Sequence, residues 1–114
     1  MADAGAYASV NDLTDGNVIA REDFETMTGR KIELRGLSRA EVIRLRRLEP
    51  STDFEALMLV MGVSRPALSI ENAKAWQGKA PAGEIEEVTD TIYKLSGLGP
   101  DAGKAAYKSV RGEL

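Results

Sequence analysis

The sequence contains neither cysteine nor histidine. Without cysteine there is no disulfide and no thiol nucleophile, and without either residue there is no ordinary structural zinc site. The absence of histidine also removes the imidazole general base on which many enzymes depend. These absences exclude most of the common catalytic centres, so we expect a protein that is not an enzyme.

Long apolar runs are also absent. The longest one, residues 56–61, has six residues, whereas a helix that crosses a bilayer needs about 20. The N-terminus is acidic and rich in small residues, and it lacks the positive start and apolar stretch of a signal peptide. We therefore expect a cytoplasmic protein without a membrane partner.

The length of 114 residues suits one small domain, and the apolar and charged fractions of 43% and 29% are typical of globular proteins. The charge is unevenly distributed, because residues 1–29 carry six acids and one base, whereas residues 30–48 carry seven bases and two acids. The apolar residues of the first twenty positions fit neither the helical nor the strand period. We expect a flexible segment at residues 1–20 and a single small helical domain with a β-hairpin at residues 21–114.

The local patterns predict one hairpin and several helices. Apolar and polar residues alternate from Phe24 to Arg35 around a turn at Thr28 and Gly29, which is typical of a short β-hairpin. Capping residues then predict the starts of successive helices. The predicted starts are at Ser38 with Glu41 as its capping-box partner, at Thr52 or Asp53, at Ser69, near Ala82 and at Asp101.

Two of these helices have distinctive patterns. The one that follows Asp53 and stops at Gly62 is apolar nearly all round, which predicts the centre of the core. The one from Ala82 to Ser96 has a regular amphipathic period and a stop at Gly97. The predicted fold class is α+β and mainly α, with a short N-terminal β-hairpin followed by four or five short helices packed as a small bundle.

No residue pattern predicts a catalytic, metal or cofactor site. Three acids lie at the start of the amphipathic helix: Glu84, Glu86 and Glu87. Negative charge is favourable near the positive end of the helix dipole, and this is sufficient to explain them. The glycines after residue 96 match neither the dinucleotide fingerprint nor the P-loop. We therefore predict no catalytic residues, no metal ligands and no cofactor.

The basic segment at residues 30–48 is the most distinctive feature of the sequence. Arg39, Arg46 and Arg47 share one face of their predicted helix, where they could contact phosphates, pair with acids of this chain or dock an acidic partner protein. The acidic balance elsewhere and the lack of interleaved aromatic residues argue against nucleic acid. Trp76, the single tryptophan, is predicted to be either a core anchor or a contact residue at an interface.

Two stretches resemble a known protein family. Residues 29–48 read GRKIELRGLSRAEVIRLRRL, and after Trp76 residues 80–99 read APAGEIEEVTDTIYKLSGLG. These stretches resemble the tail assembly chaperones of bacteriophages with long non-contractile tails. In that family a short hairpin ends in an Arg-Gly-Leu-Ser/Thr-Arg-Ala-Glu segment, and a later helix ends in Leu-Ser-Gly-Leu. The resemblance covers roughly residues 24–99.

The resemblance implies a non-enzymatic function. Such chaperones bind the tape measure protein in the host cytoplasm, keep it soluble, help to recruit tail tube subunits and are absent from the mature virion. We expect Arg39, Arg46, Arg47 and Trp76 to be the contact residues, and self-association stays open. The alternative is a small phage or bacterial nucleic-acid-binding or regulatory protein that uses the basic helix 39–47.

Overall fold

The structure is a computed structural model that describes residues 7–15, 19–48 and 53–98. Within these residues the chain forms five helices and three strands. In chain order they are α1 (Val10–Thr14), β1 (Arg21–Glu25), β2 (Lys31–Arg35), α2 (Arg39–Arg46), α3 (Phe54–Gly62), β3 (Val63–Arg65), α4 (Ile70–Lys79) and α5 (Ala82–Leu95). The predicted α+β class, with a hairpin followed by short helices, is confirmed. The helix predicted after Asp101 lies outside the described residues.

The strands form an antiparallel sheet in the order β1-β2-β3. In the hairpin Phe24 pairs with Ile32, and the turn between the strands includes Gly29 at a φ of +85°. Such a positive φ suits glycine, as the predicted turn requires. The third strand, β3, was not predicted, and it extends the hairpin by pairing Val63 with Leu34.

The predicted helix starts are confirmed where the structure describes them. The Ser38 hydroxyl accepts a hydrogen bond from the Glu41 backbone N–H at 3.2 Å, and the Glu41 carboxylate accepts one from the Ser38 N–H at 2.9 Å. The Asp53 carboxylate caps α3 by accepting from the Ala56 N–H at 3.0 Å. Ser69 forms a capping box at the start of α4. Thr52, the competing cap, lies outside the described residues.

Helix α3 is the centre of the core, as predicted. Its Met58 and Leu59 are fully buried, together with Leu34 of the sheet and Ile92 of α5. Gly62 ends α3, but not through the left-handed conformation of a typical glycine stop. A Cβ at this position would overlap the Ile92 side chain, so glycine is needed here because α3 and α5 approach closely. Gly97, by contrast, follows α5 at a φ of +81° and is the predicted stop.

Helix α5 joins the two ends of the hairpin. Near its N-terminus the Glu84 carboxylate accepts hydrogen bonds from Thr28 in the hairpin turn. Just past its C-terminus the Ser96 hydroxyl accepts one from the Leu37 N–H, beyond the end of β2. Glu84 and Ser96 are twelve positions apart, which corresponds to about 18 Å along the helix. We call these two regions the turn end and the open end of the domain.

The segment ahead of the hairpin contains α1, a five-residue helix inside the predicted flexible region 1–20. A capping box between Ser9 and Asp12 starts it, and this local signal lies in a segment that has no longer periodic pattern. Every residue from 7 to 15 is exposed. None of the described helices, of which α5 with 14 residues is the longest, has the length and apolar character that a membrane crossing requires.

Candidate functional site

A groove of about 520 Å³ lies at the turn end of the domain. Its volume falls in the range of roughly 300–1,000 Å³ that is usual for binding pockets. Three parts of the chain line it: the hairpin turn, the segment that follows α3, and the corner between α4 and α5. The lining residues are Thr26, Thr28, Arg30 and Ile32, then Val63, Pro66 and Leu68, then Ala75, Trp76, Lys79, Ala80, Pro81 and Glu84.

The α4–α5 corner follows directly from the local sequence. Helix α4 ends at Lys79, and the Ala80 N–H closes it by donating to the Trp76 carbonyl at 2.8 Å. Pro81 then occupies the cap position of α5, where its fixed φ starts the new helix. The corner places Trp76 and Glu84 close to each other, although eight positions separate them in the chain.

Glu84 is the most unusual residue of the groove, because its carboxylate is buried and none of the ion pairs within residues 7–15, 19–48 and 53–98 involves it. The side chain is 4% exposed. It accepts hydrogen bonds from the Thr28 hydroxyl at 2.6 Å, the Thr28 N–H at 3.2 Å and the Trp76 indole N–H at 2.8 Å. The carboxylate therefore fastens the hairpin turn to the α4–α5 corner.

The environment keeps Glu84 ionised. The hydrogen bond from the Thr28 side chain lowers the pKa of Glu84, and this effect, supported by Trp76, outweighs the opposing effect of burial. The position in the first turn of α5 also favours negative charge. The helix dipole, which the sequence suggests as the explanation for Glu84, is therefore only part of its environment, because tertiary hydrogen bonds also bury the residue.

The rest of the groove is apolar with a cationic rim. Ile32, Val63, Leu68 and Trp76 contribute apolar surface. Arg30 and Lys79 also line the groove and are exposed. Glu84 keeps its negative charge, so the charged lining residues Arg30, Lys79 and Glu84 together carry a net charge of plus one, and the two positive groups are the exposed ones.

The structure divides the basic segment into separate parts. Arg30 lines the groove, whereas Arg35 is turned inward. Its guanidinium donates to both oxygens of Glu41 at 2.8 and 3.1 Å and to the Met61 carbonyl at 2.9 Å. The same hydrogen bonds from Arg35 lower the pKa of Glu41. The segment is therefore not one continuous cationic surface.

The predicted contact residues fall into two groups. Arg39, Arg46 and Arg47 are exposed on α2 or at its C-terminal cap, and none of them lines the groove. Trp76 does line it and is half-buried, with its indole N–H bound to Glu84. The two interpretations of Trp76 are thus compatible, since one part of the side chain is anchored and another part faces the groove.

Arg30 and Lys79 are not recognisable as a pair in the sequence. Arg30 lies within the basic segment, but it does not belong to the helical spacing of the later arginines. Lys79 is an isolated base 49 positions further along the chain. No local signal connects them, because only the fold brings the turn and the α4–α5 corner together.

Comparison with known proteins identifies no relative of this chain. No family model matches the chain, and neither the curated proteins nor the solved structures contain a match. Within residues 7–15, 19–48 and 53–98 no three acidic residues cluster as they would around a metal ion. The groove combines apolar surface with the positive charges of Arg30 and Lys79.

Proposed function

We propose that this protein is a phage tail assembly chaperone whose groove binds a helix of the tape measure protein. The groove carries the proposal, because it combines an accessible tryptophan, apolar surface and two cations. Amphipathic helices bind in apolar grooves of this kind, and tryptophan is enriched among the residues that dominate binding energy. The resemblance of residues 24–99 to that chaperone family supports the same function.

The charge at the rim specifies the kind of helix. Arg30 and Lys79 favour a helix whose apolar stripe is flanked by Asp or Glu, and they disfavour one flanked by bases. A single groove of this size gives modest affinity, because binding must first overcome the entropy of association. Several copies along one long tape measure protein would cover it by repeated contacts and keep it soluble in the host cytoplasm. The covered protein would then receive the tail tube subunits, and the chaperone would not remain in the virion.

Co-expression with the tape measure protein of the same gene cluster tests this function. We expect the tape measure protein to stay in the soluble fraction and to co-purify with this chain. The double substitution Arg30→Glu with Lys79→Glu is expected to abolish both effects, since it reverses the charge of the rim. The matched control is Arg44→Glu with Lys94→Glu, two exposed bases that do not line the groove. If neither solubility nor co-purification depends on this chain, the proposal is wrong.

The exposed bases of α2 support a second candidate, a nucleic-acid-binding function. None of the ion pairs among residues 7–15, 19–48 and 53–98 involves Arg39, Arg44, Arg46 or Arg47. If these residues bind phosphates, affinity for duplex DNA falls steeply with salt and weakens on Arg46→Ala. The absence of any DNA complex at low ionic strength would exclude this candidate without affecting the chaperone proposal, because Arg46 lies outside the groove.

A further inference from the structure

The segment at residues 7–15, which we call the arm, presents apolar side chains to solvent. Tyr7 is 99% exposed and Val10 is 74% exposed. Leu13, three positions after Val10, lies on the same side of α1 and is 65% exposed. Large apolar side chains that are exposed together usually mark an interaction surface.

The arm is also purely acidic. Asp12 and Asp15 are its charged residues, and it contains no base. Asp12 accepts a hydrogen bond from the Ser9 N–H at 2.8 Å, and this bond lowers the pKa of its carboxyl. The arm therefore presents apolar and negatively charged groups side by side at neutral pH.

The groove has the complementary surface. Ile32, Leu68 and Trp76 offer apolar contact, and Arg30 and Lys79 offer positive charge. Among the described residues, the one carboxylate that lines the groove is Glu84, whose oxygens are held by Thr28 and Trp76. An acidic segment with an apolar side would thus meet apolar surface and two positive charges, which outnumber the single negative charge of Glu84.

The connection of the arm to the sheet favours a groove on another molecule. The arm precedes β1, whose first residue, Arg21, pairs with Arg35 at the open end of the hairpin. The groove lies at the turn end, beside Thr28. To reach its own groove the chain ahead of β1 would have to run back along the whole hairpin, whereas the groove of a second molecule requires no such reversal.

We propose that the arm of one copy binds in the groove of a second copy, and that the exchange is reciprocal. A two-fold arrangement fills both grooves and covers both arms, so the complex closes as a dimer. This inference concerns the chain by itself and does not depend on the outside partner proposed above, but the arm and a tape measure helix would compete for the same groove, so the dimer is the form without that partner.

Sedimentation equilibrium of the full chain, over a range of micromolar concentrations, tests the proposal. We expect a monomer–dimer equilibrium that weakens with salt, because charge contributes to the contact. Two double variants each disrupt one of the two contacting surfaces. The arm variant carries Tyr7→Ser with Val10→Ser, and the groove variant carries Arg30→Glu with Lys79→Glu. Each is expected to raise the dimer Kd by at least about tenfold, the equivalent of 1.4 kcal/mol. The controls Ile19→Ser and Lys94→Glu, at exposed positions outside both surfaces, should leave the Kd unchanged.

A mixture of the two variants gives the decisive result. The groove variant keeps an intact arm and the arm variant keeps an intact groove, so an equimolar mixture should form a heterodimer through one contact while each variant alone stays monomeric. Circular dichroism confirms that both variants are folded. The proposal is overturned if the wild-type chain is monomeric throughout, as it would be if each arm bound its own groove, if a dimer forms that neither variant weakens, or if the mixture shows no recovery.

Discussion

The two ends of α5 are fastened to the hairpin in different ways. At the turn end a long side chain makes the connection, because the Glu84 carboxylate reaches donors on Thr28 and Trp76. At the open end the two backbones meet directly. A Cβ on Gly36 would overlap the Leu95 carbonyl, and it would lie 2.8 Å from the Ser96 nitrogen.

This difference explains where the groove lies. A carboxylate can join two elements while holding their backbones apart, and the space beside it becomes accessible to a ligand. A backbone contact leaves no such space. The candidate site therefore lies at the end where a long side chain makes the connection, whereas at the open end the backbones of Gly36 and Leu95 are in close contact.

The largest expected effect is at the open end, from Gly36→Ala. The added methyl group meets backbone atoms of Leu95 that cannot rotate away, so the free energy of unfolding should fall by about 3 kcal/mol. Urea denaturation measures it. The control is Gly78→Ala in α4, where nothing lies within 4 Å of the new Cβ and a gain of up to about 1 kcal/mol is expected. Equal stability of Gly36→Ala and wild type would contradict the close backbone contact.

At the turn end, Glu84→Ala should lower the free energy of unfolding by about 2 kcal/mol, since the donors on Thr28 and Trp76 lose a charged acceptor. The emission of Trp76, the single tryptophan, should shift to longer wavelength as the corner loosens. Glu87→Ala, on the exposed side of the same helix, should change stability by less than about 0.5 kcal/mol. If the two variants behave alike, Glu84 does not fasten the turn end.

A smaller effect is expected from Ser96→Ala at the open end. The Ser96 hydroxyl accepts from the Leu37 N–H at 2.7 Å and donates to the Ile92 carbonyl at 2.6 Å. Its removal should cost about 1 kcal/mol and speed hydrogen exchange of the Leu37 amide. In Thr91→Ala, where the hydroxyl bonds only within its own helix, that amide should exchange as in wild type. An unchanged Leu37 amide in Ser96→Ala would show that Gly36 alone anchors this end.

The smallest expected effect is a difference in acid sensitivity. Hydrogen bonds lower the pKa of Glu84 and also that of Glu41. A lowered pKa in the folded state means that the stabilisation is complete above the ordinary glutamate pKa of about 4.3 and is lost as the pH falls through the lower folded value. Urea midpoints between pH 7 and 3 should therefore decline less in Glu84→Gln than in wild type. Parallel declines would show that Glu84 is not held ionised by Thr28 and Trp76.

The parts of the fold that the sequence predicts correctly depend on short-range patterns. Ser38 and Glu41 are three positions apart, as are Ser69 and Asn72, so each capping box is visible in the sequence. Alternation around Gly29 similarly reveals the hairpin. In these cases the chemistry that fixes the structure lies within a few residues.

The missed features depend on distant partners. Strand β3 has three residues, too few to show alternation, and it pairs with β2 some thirty positions earlier. Glu84 has the spacing of a polar-face residue, yet it is buried by Thr28, 56 positions away. In the candidate site, the sequence indicates Trp76 as a contact residue, but no sequence pattern shows that Arg30 and Lys79 line the same groove. The α2 arginines were predicted correctly as a basic helix and remain untested as contacts.

One further consequence follows from the junction between α3 and β3, where Gly62 is followed at once by Val63 with no loop between them. Val63 is buried in the core and also lines the groove, so the wall of the groove is mechanically continuous with the interior. Substitutions that widen the groove at Val63 would therefore also disturb the core, whereas substitutions at the exposed residues Arg30 and Lys79 would change the charge of the groove without repacking the interior.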